Sequence, residues 1–433
     1  MICAAIQRCA GIDVGKKLLA VCIMVGPLEG EARVETRLFG THRGELNRLR
    51  DWLKEEAITH VVMESTGSYW KPVFNVLEDA VQVYLANPQE VKSRRGHKTD
   101  NKDGWWLAHL LRHAMIHPSF IPPRPIRELR DLTRRRKRLV GAATAERNRI
   151  QKTLEDANVK LSNVLSDIFG VSGQKMLDAL LEGKARAVEI ADMAKGRAKE
   201  KITAIWESLD GHQMRDHHRQ MIRYSLAHLQ FLEKQIAELD KAILEKIEQE
   251  GLKESCELLQ SLPGVQQTSA VSIIAETGND MKQFETESHL GSWAGLCPGN
   301  NRSAGRSKSS HTTRGNVWLR SVVTECAWAA ASKKGCFLKD KFWRITTKKG
   351  GKKGPALIAV AHTLLVLAYR VLSTGEPYQE KGVPPVNERQ KQRLILHHAR
   401  RLGKLGIAVS SSRPATAPSS PPGKKSCRPL SGP

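Results

Sequence analysis

Two apolar runs that end in or near a carboxylate constrain this chain most. Gly11-Ile12-Asp13-Val14-Gly15 lies inside a strand-like stretch, and His60-Val61-Val62-Met63-Glu64 reads as a second strand running into Ser65-Thr66-Gly67. A third acidic element, Lys98-Thr99-Asp100-Asn101-Lys102-Asp103, opens a helix-like stretch. Residues three apart on a helix share a face, so Asp100 and Asp103 are neighbours there. Acids at two strand ends and on one helix face can converge on one pocket. Singly, each has a plainer reading: a turn or strand-end Asp, or helix-start acids favoured by the dipole. Together they are costly to bury without a counter-cation. All-oxygen ligands suit Mg2+ (or Mn2+), and two such ions can clamp a phosphodiester in line. His97 and Lys98 are placed to contact a phosphate beside them. An EF-hand does not fit, because Lys102 occupies a ligand position. Gly350-Gly351-Lys352-Lys353-Gly354 lacks the spacing and the following Ser or Thr of a nucleotide-binding loop.

The pattern around these acids is α/β. Ile6–Val14, Leu18–Val25 and Arg33–Phe39 read as three strands joined by short turns. Glu45–Glu56 reads as a helix with Leu46, Leu49 and Leu53 on one face. His60–Met63 and Val81–Ala86 read as buried strands with a helix between them, and Lys98–His113 as a helix. Hairpin-linked strands followed by βαβ units predict a mixed sheet covered by helices, the ribonuclease-H-like plan.

The net charge of +24, from 69 Lys+Arg against 45 Asp+Glu, points to a polyanionic partner such as nucleic acid. No apolar run is read as long enough to span a bilayer, and Arg8 interrupts the short apolar start, so no signal peptide or membrane association is expected. The expectation is a cytosolic protein. The eight cysteines contain no CxxC pair, which disfavours a zinc ribbon and leaves most of them as small buried residues.

After Pro118, Pro122, Pro123 and Pro125 comes a long basic helix, Ile126 to about Asn158, with Arg134-Arg135-Arg136-Lys137-Arg138. We read this run as phosphate-contacting, against the alternative of a solvated helix face. Ile222, Leu226, Leu229, Leu232, Ile236, Leu239 and Ile243 step mostly by three and four, a heptad seam. It serves either a coiled-coil assembly or a long helix packed within one subunit. Near Glu254 a different module starts. Leu262-Pro263-Gly264-Val265 before a helical stretch is similar to a helix-hairpin-helix, which offers backbone N–H groups to a phosphate. Glu285–Ala294, Asn316–Ser332 and Pro355–Leu372 read as helices. Gly295–Arg306 between the first two reads as a loop or hairpin. Within it Ser303 is flanked by Arg302 and Arg306, with Arg314 and Arg320 following. Guanidinium groups can hold a phosphate and offset transition-state charge. Ser307, Ser309 and Ser310 compete for the same role on composition alone. Most of Val383–Pro433, rich in Pro, Ser, Lys and Arg, reads as disordered.

The chain resembles the DEDD transposases of insertion-sequence family 110, the bridge-RNA-guided DNA recombinases. The resemblance runs through Gly11-Ile12-Asp13-Val14-Gly15, Glu64-Ser65-Thr66-Gly67, Asn87-Pro88 and Lys98–Asp103. It continues through Leu262-Pro263-Gly264-Val265, Ala294-Gly295-Leu296, Pro298, Asn301-Arg302-Ser303-Ala304-Gly305 and Arg314-Gly315. It covers roughly 8–375 and departs from the family core mainly at Gly299-Asn300 and in the tail. The resemblance implies a RuvC-like DEDD nuclease domain with a basic helical extension over 5–158, and a helical linker and coiled coil over 159–253. A mostly helical transposase domain would occupy 254–378, and a basic Pro/Ser-rich tail 379–433. It also implies Asp13, Glu64, Asp100 and Asp103 as the metal-binding quartet and Ser303 as the nucleophile. The expected partners are target and donor DNA, a noncoding bridge RNA, and further copies of the chain as a dimer or tetramer. The expected location is the bacterial cytoplasm, at the nucleoid when DNA-bound. The rival expectation is a hydrolytic RuvC-like nuclease or Holliday-junction resolvase in which Ser303 is a bystander.

Overall fold

A computed structural model describes residues 4–64, 67–88, 91, 103–299, 301–303, 306–309, 311–380 and 388–404. Strands β1 (Arg8–Val14), β2 (Leu18–Val25), β3 (Arg33–Gly40), β4 (His60–Glu64) and β5 (Gln82–Ala86) form one sheet in the order β3-β2-β1-β4-β5. β2 runs antiparallel to β1 and β3, whereas β1, β4 and β5 are parallel. This is the ribonuclease-H-like arrangement expected from the hairpin and βαβ pattern.

Alternation along the strands divides the sheet into two faces. Ala10, Ile12, Leu19, Val21, Ile23, Val61 and Met63 pack on helices α1 (Arg43–Glu55) and α2 (Trp70–Leu77), through Leu46, Leu49, Trp52, Leu53, Val73 and Leu77. Cys9, Met24, Val62 and Ala86 face helix α3 (Asp103–Arg112) through its Leu107, Ala108 and Leu111. The cysteines behave as small core residues. Cys9, Cys22, Cys256, Cys326 and Cys336 are buried free thiols, and burial pushes the Cys9 thiol up to about 12 against the opposing charge of Arg112.

Between α3 and the next long helix, consecutive residues face different modules. Ser119 N–H donates to the Leu85 carbonyl of β5 at 2.7 Å, and Ile121 packs on the sheet's α1/α2 core. Phe120 between them inserts into the C-terminal core, with ring centroids 5.2 Å from Phe284 and 5.9 Å from Trp293.

Helix α4 (Arg124–Asp156) begins with Pro125 in its first turn, where a missing N–H costs nothing. It runs against helix α7 (Asp216–Gln249), and α5 (Val171–Glu182) and α6 (Ile202–Leu209) close the distal end of the pair. The heptad seam is the packing edge of α7. Ile222, Leu229 and Leu232 are buried with Leu139, Ile150 and Leu154 of α4, and Leu226, Ile236 and Leu239 pack beside them. Ile243 joins Ile126 and Leu129 of α4 in the next core. The seam is therefore satisfied within one chain.

The C-terminal core is built from α8 (Lys253–Gln260), α9 (Gln267–Thr277), α10 (Glu287–Trp293), α11 (Val317–Ser332), α12 (Phe337–Lys348) and α13 (Lys353–Thr374). α13 corrects the reading that no segment could span a bilayer: its 22 residues are long and apolar enough. Here its Val360, Ala361, Leu364, Leu365 and Ala368 lie inside the core, where an all-round apolar helix is equally at home. Within the tail, Glu388–Lys404 forms helix α14, and the residues beyond it lie outside the described ones. No Pro interrupts α14, and its first Gly is Gly403.

Candidate functional site

Asp13 is the next-to-last residue of β1 and Glu64 the last residue of β4. These strands are parallel neighbours with Ile12 paired to Met63, so the two carboxylates stand one register step further on. By alternation both belong to the face that carries Cys9, Gly11 and Val62, the face crossed by α3.

Two glycines let α3 cross there. A Cβ on Gly11 would sit 2.2 Å from the Gly104 carbonyl oxygen, and a Cβ on Gly104 would sit 2.8 Å from the Ala20 carbonyl oxygen. Asp103, the first residue of α3, immediately precedes this contact and is exposed. The far end of α3 is fixed by Arg112, only 3 % exposed, whose guanidinium donates to the carbonyls of Ile6 and Gln7 at 3.1 and 3.2 Å and to that of Pro27. Nothing in the spacing of Arg112 marks it for that task.

Asp100, His97 and Lys98 lie outside the described residues. Among the described residues, no three His, Cys, Asp or Glu side chains are grouped to hold a metal ion. What the structure does bring together is Asp13 and Glu64 on adjoining strand ends, with Asp103 opening the helix laid across their face. Carboxylate oxygens are ligands of the kind Mg2+ or Mn2+ accepts, and Asp13 and Glu64 stand on adjoining strand ends.

Ser303 belongs to a separate two-stranded sheet. Strands β6 (Asn301–Ser303) and β7 (Arg306–Ser309) pair antiparallel, with Ser303 opposite Arg306 and Arg302 opposite Ser307. The expected loop or hairpin is thus a hairpin, with Ser303 at its turn end. Its base is held by Gly299 N–H donating to the His311 carbonyl at 2.9 Å and Thr313 N–H to the Cys297 carbonyl at 3.1 Å. Below that, a Cβ on Gly315 would lie 2.3 Å from the Gly295 nitrogen, so the two chain segments touch through backbone alone. Arg314 is exposed at this base. Asn316 then caps α11, its side-chain oxygen accepting from Trp318 and Leu319 N–H at 3.0 and 3.1 Å.

The basic run on α4 is largely engaged inside the chain. Arg134 makes a two-pronged bond to Glu276 at 2.7 and 2.8 Å, Arg136 pairs with Asp240, and Lys137 pairs with Glu325 at 2.7 Å. Arg134, Arg136 and Lys137 of the run read as phosphate-contacting thus each meet a carboxylate more than 100 residues away in the chain. Arg135 and Arg138 remain exposed, Arg138 lying 5.4 Å from the Trp318 ring centroid.

Glu276 is the centre of this cluster and was not legible as a special residue. It is 2 % exposed and also accepts from Asn316 Nδ2 at 2.6 Å, with Arg130 at 3.4 Å. Burial draws Arg130 down to about 10, with Glu276 opposing that shift. The helix-hairpin turn is likewise turned inward. Leu262, Pro263 and Val265 are buried, and a Cβ on Gly264 would meet the Cys326 carbonyl oxygen at 2.4 Å, so that turn abuts α11.

A carboxylate-bearing ribonuclease-H-like sheet joined to a helical module with a serine hairpin defines a class of protein that acts on nucleic acid strands. Comparison with known families is specific. A DEDD-type IS110 transposase model matches residues 10–159, and a model described as Transposase IS116/IS110/IS902 family matches residues 256–341. Together they span more than half of the chain, which belongs to the IS110 family of DEDD transposases. No curated protein matches it. Among solved structures, Thermus thermophilus RuvC is similar at 15 % identity and a TM-score of 0.21, covering 26 % of this chain and 99 % of that one. The same RuvC in complex with a Holliday junction substrate gives 16 % identity and a TM-score of 0.20, with the same coverage.

Proposed function

We propose that this transposase cuts and rejoins DNA through a covalent Ser303–DNA link, at a centre completed by Asp13, Glu64, Asp100 and Asp103, under the direction of a bridge RNA. The observation that carries the reading is the convergence of Asp13 and Glu64 on the face crossed by the Asp103 helix, in a chain whose other half carries Ser303 opposite Arg306. The four carboxylates would hold Mg2+ or Mn2+. Such an ion, when bound, offsets charge on the scissile phosphate and lowers the pKa of a hydroxyl beside it. Ser303 Oγ attacks phosphorus, and its proton passes through solvent to the departing DNA oxygen. One P–O bond forms as another breaks, leaving a phosphoserine link and a free DNA hydroxyl. The link conserves the phosphodiester, so attack by a hydroxyl of another strand releases Ser303 without ATP. Arg302, Arg306 and Arg314 supply cations for the phosphate in transit. Target and donor sequence would be chosen by RNA pairing, with the basic protein holding backbones in the cytoplasm at the nucleoid.

We further propose that assembly with a second copy uses the other side of α7. With the heptad seam occupied by α4, Tyr224 and Phe231, seven residues apart and on one face, stand 63 and 58 % exposed away from that seam. Tyr224→Glu with Phe231→Glu lowers the assembly mass in sedimentation while leaving the helix content intact. An unchanged mass removes this surface from the reading.

The decisive experiment incubates the protein with Mg2+, the element's flanking RNA and matched target and donor DNA, then looks for adducts on a denaturing gel. An adduct lost in Ser303→Ala and in Asp13→Ala supports the reading. Nicked DNA without any adduct replaces it with a hydrolytic nuclease or junction resolvase.

A further inference from the structure

Helix α3 has a second side that neither its packing nor the carboxylates account for. Away from the sheet its rings form a ladder. Trp105 and His109 stack with centroids 5.2 Å apart and planes 16° apart, and Trp106 and His109 stack at 5.7 Å and 12°. His113 follows at 4.4 Å from His109. Core aromatics are usually covered; here the ladder ends on Trp105, which is 37 % exposed and two residues from Asp103. Burial, with His113 and Arg112 nearby, lowers the pKa of His109, which keeps its ring neutral and suited to stacking at neutral pH.

The neighbouring surface has matching chemistry. Leu18 and Leu38 are 57 and 66 % exposed. Leu38 pairs with Ala20, whose carbonyl touches Gly104, and alternation from the buried Leu19 and Phe39 puts both leucines on the α3 side of the sheet. Lys16 and Lys17 are exposed on the β1–β2 turn that directly follows Asp13-Val14-Gly15. An exposed indole with apolar neighbours offers a seat to a flat heteroaromatic ring, and the lysines offer charge to the phosphates joining such rings.

We propose that the Trp105 end of this ladder is a stacking platform for unpaired bases of the strand entering the carboxylate edge. The inference rests on the functional reading above, since it assigns the substrate as a nucleic acid strand with bases out of the duplex.

The test measures fluorescence anisotropy of the full chain, in EDTA so that no cleavage intervenes, with a single-stranded oligonucleotide and its abasic counterpart. Trp105→Ala is expected to weaken binding of the normal strand roughly tenfold, within the range of one lost base–aromatic stack. It should leave abasic-strand and fully paired duplex binding unchanged, and Trp105→Phe should retain most of the affinity. A loss shared equally by normal and abasic strands, or no loss at all, overturns the platform. A 2-aminopurine-bearing strand on the wild-type protein keeps the test independent of the variants. Quenching that Trp105→Phe reduces supports stacking, and an unquenched bound strand overturns it. If the wild type binds neither oligonucleotide, the functional reading fails along with the platform. Equal binding of both removes the platform alone.

Discussion

The two regions that carry the proposed chemistry are held in place by opposite means. The carboxylates ride on adjoining strands of a five-stranded sheet, and a helix is pressed onto that sheet so closely that Gly11 and Gly104 have no room for a Cβ. Ser303 rides on strands of only three and four residues that pair with each other. Its register shifts at Asn301/Arg302, and its hold on the core is concentrated at the base. A metal site needs ligands fixed within fractions of an ångström, which strands packed on both faces supply. A nucleophile that must reach a phosphate and later give it up is better served by a hairpin anchored at one end.

The comparison can be broken from either side. Gly11→Ala forces α3 off the sheet and is expected to abolish cleavage, a loss of at least a hundredfold, at a stability cost of about 1–3 kcal/mol. Cleavage retained with an unchanged melting curve would mean that the helix is not what completes the carboxylate edge. Gly315→Ala strikes the hairpin base, and the expected result is loss of the covalent adduct while the helix content by circular dichroism is retained. If the adduct forms at the wild-type rate, the Gly295–Gly315 contact does not position Ser303.

Smaller effects sharpen the contrast. Glu276→Gln leaves Arg134 and Arg130 facing a neutral group and should cost about 3 kcal/mol in denaturant unfolding, because one partner of a buried ion pair is removed. A cost below about 1 kcal/mol would show that water reaches the cluster. Finally, the hydrogen bond from Arg370 holds Glu287 below the usual carboxylate range. A depressed carboxylate stabilises the fold above its unfolded pKa and loses that contribution as pH falls through the folded value. Glu287→Gln should therefore lower stability by about 0.5 kcal/mol at neutral pH. The difference from wild type should vanish in acid, and a gap constant across pH would assign the effect to packing.

What the sequence made legible follows from range. Alternation within a strand is a local signal, so the five strands and the positions of Asp13 and Glu64 on them could be read directly. The heptad steps of α7 were equally plain, but period alone does not name the partner, and α4 of the same chain was one of two possibilities. The cations of α4 show the limit most clearly. Which of Arg134, Arg135, Arg136, Lys137 and Arg138 is free depends on Asp240, Glu276 and Glu325, all distant in the chain. Glu276 itself sits in Ile274-Ala275-Glu276-Thr277, where no neighbour hints at its burial. Ser303 was placed by resemblance, since a serine between arginines has no local mark of its own.

The proline-marked stretch before α4 reads as punctuation, but its side chains make it a weld. Ser119 and Ile121 belong to the sheet, and Phe120 belongs to the C-terminal core, so no free length of chain separates the carboxylate module from the serine module along this path. Torsion about any bond here pulls a ring out of one core or a side chain out of the other. The two modules are thus joined without slack along this path, and any freedom left to Ser303 lies in its own hairpin, above the base that holds it.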